Sequence, residues 1–507
     1  MKNHRAYPKR VALAAGTLVF AGFATAMPAR GQAPPAADSK AISRSKVERK
    51  NRAPVSKEIL RVKLPKPVET TLPNGLTVLI LEDHRFPNVT AQLILRGTGA
   101  LTEPASQVGL ASLTAQMLRE GTAKHTSKEI GEAIDRLGAS LTASAPFGSE
   151  STTIQASGLS DNFDQWFALT TEILLHPSFP ADELAKLKQR QKVQLIQQRQ
   201  QPGFLANERF NRAVYGNHPA AVVTATVESL DAATPGALAK WHHERYAPQN
   251  AVLGIAGDVN AKEVMKKLTD WLAEWKKTDE KVASAPTTIP VPGRKVWIAN
   301  RPNSVQTTLA MGNIAIDRMS PDYPGMVVLD QVLGAGPAAR LFLNLREEKG
   351  YTYGVYSSFT ARRFAGPWRV GGDLRTEVTE GAMTEFVKEL ERIRDQKVPE
   401  TELDEARHAV VAGFALSLEQ PTQLLGYALE SKLYGFPADY WDTYPGKISA
   451  VTTDDVQRIA KKYIQPESMQ IVAVGDAPKI KPVLEKYGAV EVYDIQGKPE
   501  AAKPTPQ

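Results

Sequence analysis

Cysteine is absent from the 507 residues, and histidine is scarce. The first absence excludes a disulfide, a zinc site built on thiolates and a lipid-modified cysteine. With eight histidines in the chain, a metal site would have to combine a few of them with carboxylates. His242 and His243 are adjacent, so they would lie on different faces of a helix. Four others have no histidine three or four positions away, which predicts surface or capping roles: His84, His125, His176 and His408.

Long apolar runs are scarce too, and the one that occurs is at the N terminus. Four basic residues precede an apolar run from Val11 to about Ala26, which ends in small residues. This is the layout of a secretory signal peptide, and sixteen residues rich in Ala and Gly are short for a membrane anchor. We therefore predict a cleaved signal peptide at 1–26 and an exported protein, located in the periplasm of a Gram-negative bacterium. No transmembrane span is expected in the mature chain.

Most of the chain has no excess of positive charge, although the formal net charge of the whole chain is +7. Residues 1–66 hold fifteen Lys and Arg against three Asp and Glu, a balance of +12, so the other 441 residues carry −5. No basic stripe with interleaved aromatic residues is present. We therefore expect no nucleic-acid binding.

Composition divides a chain that is too long for one core. Residues 27–67 are rich in Pro, Ala, Ser, Lys and Arg and predict a disordered basic linker. The Pro-rich stretch 284–292 predicts a linker between domains at 68–283 and 293–494, and residues 495–507 predict a disordered tail. The two domains repeat each other, because landmarks recur 219 residues later: Gln201-Pro202 as Gln420-Pro421, and Tyr215-Gly216 as Tyr434-Gly435.

Strand and helix patterns alternate irregularly within the first predicted domain. Asn74-Gly75 between apolar β-formers is a strong hairpin signal. Strands predicted near 89–95, 140–145, 151–156 and 251–257 are mixed with pairs of amphipathic helices. The sequence therefore predicts an α+β fold of two homologous domains, each a largely antiparallel sheet with helices packed on one face.

The stretch Gly334–Tyr356 predicts a short helix that turns directly into a strand. Gly350 suits the left-handed conformation that ends a helix, and residues 351–356 alternate with a period of two. Arg346 falls in the last helical turn, and Tyr353 follows seven residues later. One interpretation is a cation and a phenol that address the same carbonyl or carboxylate. The other is an Arg that neutralises the helix dipole and a Tyr packed on the core.

This stretch resembles the C-terminal half of the pitrilysin/insulinase-type metallopeptidases, the inverzincins. In that family a small-residue turn leads into R-L-F-x-x-L-R-E-E-x-G-x-x-Y, and the Arg and the Tyr orient the substrate peptide at a zinc site in the other domain. The resemblance implies that Arg346 and Tyr353 bind a peptide substrate. It also implies that residues 68–283 and 293–494 are an N-terminal and a C-terminal peptidase-like domain.

The helix that would carry the zinc in this family corresponds to residues 109–122. Its flanks resemble the family's G-L-A-H-x-x-E-H-M-L-x-x-G-T, in which two His bind zinc and the Glu activates the zinc-bound water. Here Ser112 and Gln116 stand at the histidine positions, and Ala115 stands at the glutamate position. Val193 and Gln194 stand where the family has a third ligand, a Glu.

A hydroxyl and amides are poor zinc ligands, and a methyl group cannot abstract a proton. We therefore predict that this chain holds no zinc or other cofactor and is inactive alone. Loss of the zinc ligands with retention of the Arg and Tyr resembles one subunit of the family's two-subunit bacterial members. The resemblance implies the non-catalytic, substrate-positioning subunit of an exported heteromeric zinc metallopeptidase that cleaves peptides, in a heterodimer with a zinc-bearing homologous subunit.

The alternative is a pseudo-peptidase that acts as an assembly or peptide-binding module in an envelope complex. The two functions differ in the protein that accompanies the chain. A zinc-carrying sister gene beside this one favours the peptidase subunit, and an envelope complex that co-purifies with the chain favours the assembly module.

Overall fold

The computed structural model of the protein describes residues 58–279 and 281–500. The predicted signal peptide, residues 27–57 of the predicted linker and residues 501–507 of the predicted tail lie outside the described residues. Within the described part, every helix is too short or too polar to cross a lipid bilayer.

The N-terminal half, residues 68–279, is built on a six-stranded sheet in the order β1-β2-β6-β3-β5-β4. Neighbouring strands are antiparallel except β2 and β6, which are parallel. The elements are β1 Val68–Thr71, β2 Thr77–Glu82, β3 Asn88–Arg96, α1 Leu110–Met117, α2 Ser127–Arg136, β4 Ser140–Ser144, β5 Ser151–Leu159, α3 Phe163–Leu175, α4 Ala181–Gln198, α5 Pro202–Tyr215, α6 Val227–Ala232, α7 Pro235–Arg245, β6 Ala251–Gly257 and α8 Ala261–Trp271.

The C-terminal half, residues 281–500, has a second six-stranded sheet in the order β12-β7-β11-β8-β10-β9. Strand β7 is parallel to β12 and β11, and the other neighbours are antiparallel. The elements are β7 Lys295–Asn300, β8 Gln306–Ile316, α9 Tyr323–Leu333, a π-helical segment Phe342–Glu348, β9 Thr352–Phe359, β10 Gly366–Arg375, α10 Thr379–Asp395, α11 Glu400–Ser417, α12 Pro421–Tyr434, α13 Tyr440–Ser449, α14 Thr453–Tyr463, β11 Gln470–Gly475, α15 Ala477–Leu484 and β12 Ala489–Tyr493.

Five strands of each sheet follow the same order, because β2-β6-β3-β5-β4 corresponds to β7-β11-β8-β10-β9. The sixth strand differs: β1 precedes its domain's other strands in the chain, whereas β12 comes last. The predicted α+β class, with two similar and largely antiparallel sheets, is confirmed. The exact domain boundaries stay predictions.

Local sequence signals account for several element ends. Gly75 has φ +88°, a conformation that favours glycine, and it closes the predicted hairpin between β1 and β2. Thr126 and Glu129 form a reciprocal capping box at the start of α2. Pro202 and Pro421, 219 residues apart, both occupy the first turn of a helix, where a missing N–H is tolerated.

These two proline-started helices are exchanged between the halves. Helix α5 packs on β8 and β11 of the C-terminal sheet, where Phe210 joins Ala310 and Val472 in one apolar cluster. Helix α12 packs on β6 and β2 of the N-terminal sheet, where Leu425 lies against Val252. Each sheet therefore carries its own helices on the predicted face and one helix from the other half on the opposite face.

The two central strands show the consequence of the exchange, because all residues of β6 and of β11 are buried. A strand that is covered on both faces becomes apolar throughout rather than alternating. Gly254 in β6 permits the close approach of α12. A Cβ at this position would stand 2.7 Å from Leu425 Cδ1.

The described residues of the predicted linker and tail pack against the folded halves. Val62 and Leu64 lie against the C-terminal core, and the Leu64 N–H donates to Asp442 Oδ1 at 2.9 Å. The chain therefore crosses the C-terminal half before it enters the N-terminal sheet. Residue Ile495 packs on the cluster around α5, and Asn300 Nδ2 donates to Glu500 at 3.1 Å.

Candidate functional site

The N terminus of α1 is held by a glutamate from the preceding loop. Glu103 Oε1 accepts the Gly109 N–H at 2.7 Å, and its Oε2 accepts the Ala111 N–H at 3.0 Å. These bonds satisfy two amide groups that the first helical turn leaves without an intrahelical partner. Burial raises the pKa of Glu103 to about 7, against the lowering effect of the two hydrogen bonds. The helix that corresponds to the family's zinc helix is thus fixed at its start.

The side chains at the positions that correspond to the family's zinc ligands bond to one another. Gln116 Nε2 donates to Ser112 Oγ at 3.0 Å, and Gln191 Nε2 on α4 donates to Gln116 Oε1 at 3.3 Å. Ser112, Gln116 and Gln191 are half-buried, while Ala115 is fully buried in the core. The spacing of four residues does place positions 112 and 116 together, as the sequence predicts.

The residue of α4 that reaches this cluster is Gln191, which the sequence reasoning missed. Val193 and Gln194 are exposed, whereas Gln191 makes the contact with Gln116. Gln191 precedes Gln194 by three residues and so lies on a neighbouring part of the same helix surface. The distance along the sequence leads to α4, but packing sets the register between α1 and α4 and so decides which residue of α4 contacts Gln116.

The donor set at this cluster does not fit zinc. It offers a hydroxyl and two carboxamides, and their polar atoms are engaged with each other. Structural and catalytic zinc sites use thiolate, imidazole or carboxylate ligands. Among the described residues, no three His, Asp or Glu side chains are grouped so that they could hold a metal ion. Ala115, at the position of the family's glutamate, carries a methyl group that cannot abstract a proton.

Arg346 lies in the last turn of the π-helical segment, as the sequence predicts for the end of a helix. Its guanidinium carbon stands 4.7 Å from the ring centre of Phe342 and 4.9 Å from that of Tyr353. The side chain keeps 37% of its surface exposed, and Nη1 lies 3.8 Å from Glu347 Oε1. Two aromatic rings therefore orient the cation while its nitrogens remain accessible to a ligand.

Tyr353 is the most exposed large hydrophobic residue of this region, at 88%. A β-bulge sets its direction, since Thr352 pairs with Leu374 and Val355 pairs with Gly372, so that β9 has one more residue than β10. The bulge interrupts the predicted period of two. Val355 is buried and Tyr353 points to solvent.

Hydrogen bonds from Thr352 stabilise the bulge. Thr352 Oγ1 donates to the Asp373 carbonyl at 2.5 Å, and the Gly354 N–H donates to Thr352 Oγ1 at 3.1 Å. Gly350, at φ +64°, ends the π-helical segment in the left-handed conformation that the sequence predicts. The hydrogen bonds of the Thr352 hydroxyl and the conformation of Gly350 therefore define the turn from helix to strand. This turn places Tyr353 beside Arg346.

Two buried polar groups hold the segment from below. Asn344 Nδ2 donates to Glu385 and to Glu389 on α10, both at 2.9 Å. Asp330 on α9 accepts the Ser357 hydroxyl at 2.5 Å. Burial raises the pKa of Asp330 to about 6, although the bond from Ser357 acts in the opposite direction. These buried hydrogen bonds fix the π-helical segment and β9, the two elements that carry Arg346 and Tyr353.

Five described histidines make contacts that support the fold, in line with the surface and capping roles predicted for His84, His125 and His176. His218 Nδ1 accepts the Ala220 N–H at 3.0 Å and caps a short helical turn. His242 is half-buried and donates to the Leu174 carbonyl at 2.7 Å, and desolvation lowers its pKa to about 4. Three others form hydrogen bonds with carboxylates: His84 with Asp258, His125 with Glu172 and His176 with Glu274.

Models of one peptidase family match both halves of the chain. The model described as "Insulinase (Peptidase family M16)" matches residues 77–225. The model described as "Peptidase M16 inactive domain" matches residues 232–410. Together they cover more than half of the chain.

Several proteins are similar over most of the chain. The "Uncharacterized zinc protease YmxG" of Bacillus subtilis is 22% identical over 396 residues, which are 77% of this chain and 94% of that protein. A crystal structure titled as a peptidase M16 inactive domain from Pseudomonas fluorescens is 27% identical with a TM-score of 0.75, covering 81% of this chain and 98% of that one. A protease structure from Helicobacter pylori, with a TM-score of 0.74 and 20% identity, covers 81% of this chain and all of its own, and shows the fold alone.

Proposed function

The chain belongs to peptidase family M16, and we propose that it is the non-catalytic, substrate-positioning subunit of an exported heteromeric zinc metallopeptidase that cleaves peptides. One observation carries the proposal. Arg346 and Tyr353 are oriented and exposed, whereas the cluster of Ser112, Gln116 and Gln191 offers no zinc ligand and no base. The chain has kept the residues that bind substrate and has lost those that perform hydrolysis.

The Arg346–Tyr353 pair is suited to a peptide. A guanidinium donates in a fixed fork that matches a carboxylate, and it also bonds a backbone carbonyl. The phenol of Tyr353 donates to a second carbonyl, and its exposure leaves that donor free for a ligand. Because the guanidinium carbon of Arg346 lies 4.9 Å from the ring centre of Tyr353, one short segment of extended peptide can contact both side chains.

The proposed partner is a homologous subunit that carries the zinc and the general base. Such a partner is required because the cluster of Ser112, Gln116 and Gln191 supplies neither zinc ligands nor a base. The positive N-terminal region followed by an apolar run supports export, and a periplasmic location is part of the proposal. In this arrangement the present chain acts on the substrate through Arg346 and Tyr353 at the interface with its partner.

The test is to mix the purified chain with the zinc-bearing homologue and to measure peptide cleavage and complex formation separately. Removal of one oxyanion-type donor lowers kcat about 10²–10³-fold in other hydrolases, so we expect Tyr353→Phe to lower turnover by about that order while the complex still forms. Arg346→Ala should raise KM more, because a charge and two positioning bonds disappear. Tyr356→Phe is the matched control, since this neighbouring tyrosine is half-exposed on the same strand.

Two outcomes would contradict the proposal. If both variants assemble with the partner and cleave peptide as well as the wild type, Arg346 and Tyr353 are packing residues. If the chain alone cleaves peptide in the presence of zinc, it is not a non-catalytic subunit. The first outcome, combined with a stable envelope complex that contains the chain, would instead favour the assembly module.

A further inference from the structure

A cleft of about 460 Å³ lies between the two halves, away from both groups of residues described above. Arg96, at the end of β3, and the β4–β5 loop at Glu150 line it from the N-terminal half. Arg362 and Arg363, in the loop between β9 and β10, line it from the C-terminal half. The connecting residues 282–284 form one wall. Three guanidinium groups thus face one carboxylate among the described lining residues.

The carboxylate and one of the guanidinium groups already have protein partners. Glu150 Oε1 accepts the Ala285 N–H at 2.7 Å, and its Oε2 lies 3.9 Å from Arg363 Nε. Arg363 also donates to the Leu433 carbonyl and lies over the ring of Tyr434. Glu150 and Arg363 therefore neutralise one another in part, and two positive charges remain.

Those two charges belong to Arg96 and Arg362. Arg96 is half-buried, and burial together with repulsion from Arg363 lowers its pKa. The guanidinium of Arg362 packs against the backbone at Gly148, where a Cβ would stand 3.1 Å from Nη1. Gly148 has φ +77°, so this close contact and the loop conformation both favour glycine there. Within the described residues neither arginine has a carboxylate in hydrogen-bond contact.

We propose that this cleft binds an oxyanion, a carboxylate or a phosphate, between Arg96 and Arg362. Both arginines line the same cleft, and an anion bound there can accept charge-assisted hydrogen bonds from each guanidinium. Guanidinium groups match the geometry of both oxyanions. Because Arg96 comes from the N-terminal half and Arg362 from the C-terminal half, the bound anion contacts both halves. The site lies near the Gly366 end of β10, and Arg375 is at the other end of that strand. The proposal does not depend on the function proposed above.

The oxyanion has two sources that the experiment distinguishes: free phosphate and the C-terminal carboxylate of a peptide. The probes are inorganic phosphate and N-acetyl-dialanine, each added to the full chain at constant ionic strength, with chloride and N-acetyl-dialanine amide as the matched blanks. Binding is measured by calorimetric titration and by the shift in Tm. We expect saturable binding of at least one of the two anions, and the anion that binds more tightly identifies the source.

Three variants and one control locate the site. Hydrogen bonds to charged groups contribute enough that Arg96→Gln and Arg362→Gln should each weaken binding by at least about tenfold. Glu150→Gln should strengthen binding, because it removes the competing negative charge while its amide oxygen still accepts the Ala285 N–H. Arg375→Gln is the control, since Arg375 is exposed and ends β10 far from the cleft. It should bind the anion as the wild type does.

The gain expected from Glu150→Gln keeps the proposal falsifiable even if an arginine variant fails to fold. The proposal is overturned if neither anion binds the wild type above its blank. It is also overturned if the arginine variants bind as well as Arg375→Gln, or if Glu150→Gln binds more weakly than the wild type. The last result would mean that the arginines serve to pair with Glu150.

Discussion

The two halves of the protein share a strand order, yet they present different side chains for chemistry. In the N-terminal half, α1 is capped by Glu103 and carries Ser112, Ala115 and Gln116, none of which is a zinc ligand or a base. In the C-terminal half, the π-helical segment and the bulged strand still present Arg346 and Tyr353. The comparison shows that two sheets with the same strand order can present different polar side chains.

Burial differs between the residues that hold α1 in place and the polar residues that it presents. Leu113, Ala115 and Met117 are fully buried and tie the helix to the core. Ser112 and Gln116 are half-buried, so the core places fewer demands on them. Substitutions at buried positions create cavities or clashes, whereas half-exposed positions tolerate polar replacements of similar size. The helix is thus held by Leu113, Ala115 and Met117, whereas Ser112 and Gln116 add little to that packing.

Restoring ligands on α1 is the largest change that the comparison predicts. The wild type should retain well under one zinc per chain after dialysis, as measured by elemental analysis. Ser112→His and Gln116→His combined with Gln191→Glu should raise retention toward one zinc per chain, because two imidazoles and a carboxylate then converge. The control variant carries Gln194→Glu in place of Gln191→Glu, together with the two histidine substitutions. It should retain less zinc, because Gln194 does not contact Gln116. A full equivalent in the wild type that is lost on changing Ser112 or Gln116 would contradict the assignment.

Truncation in the exchanged helices should have the next largest effect, on stability. Phe210 is 1% exposed where α5 meets the C-terminal sheet. Phe210→Ala should lower the free energy of unfolding by about 3–5 kcal/mol, and Leu425→Ala in α12 by about 2–5 kcal/mol. Ile196→Ala is the control, because Ile196 is 66% exposed and should change stability by less than about 0.5 kcal/mol. Urea unfolding measures all three, and equal effects would refute the packing role of the exchange.

A pH dependence should follow from one buried carboxyl in each half. Burial raises the pKa of Glu103 from 4.5 to about 7 and that of Asp330 from 3.8 to about 6. Between the unfolded and folded pKa values, the folded state holds protons that the unfolded state releases, so stability falls as pH rises. The two protonated carboxyls contribute fully to the free energy of unfolding below about pH 4, and this contribution is lost progressively up to about pH 7.

The measurement compares Tm at pH 5 and pH 7.5 for the wild type, Glu103→Gln and Asp330→Asn. Each variant removes one titrating group, so the fall in Tm with rising pH should be smaller than in the wild type. The absolute Tm of a variant is not the readout, because an amide also changes the hydrogen bonds of the site. Unchanged slopes in both variants would show that neither carboxyl is protonated in the folded state at pH 5.

The smallest expected effect is that of Tyr353→Phe on the isolated chain. Tyr353 is highly exposed, so the free energy of unfolding should change by less than about 0.5 kcal/mol. Leu345→Ala, in the fully buried part of the same region, should cost about 2–5 kcal/mol. Thermal unfolding of the two variants compares the stability contribution of exposed Tyr353 with that of buried Leu345. A large loss of stability in Tyr353→Phe would indicate that this tyrosine is a packing residue.

Much of the architecture follows from local sequence patterns. The hairpin at Gly75, the helix start at Thr126 and the helix end at Gly350 each depend on a few adjacent residues, whose conformational preferences act over one turn. The duplicated landmarks and the motif flanks likewise indicated two similar sheets and the helix at Ser112. These features are predictable because neighbours in the chain decide them.

The tertiary structure decided where distant segments meet. The exchange of α5 and α12 depends on a second face of each sheet that no single segment reveals. The nearly continuous apolar sequences of β6 and β11 are the only local sign of it. Gln191 rather than Gln194 reaches Gln116 because packing sets the register between α4 and α1. The bulge at Tyr353 arises from the pairing of β9 with β10, which a period of two along one strand cannot show.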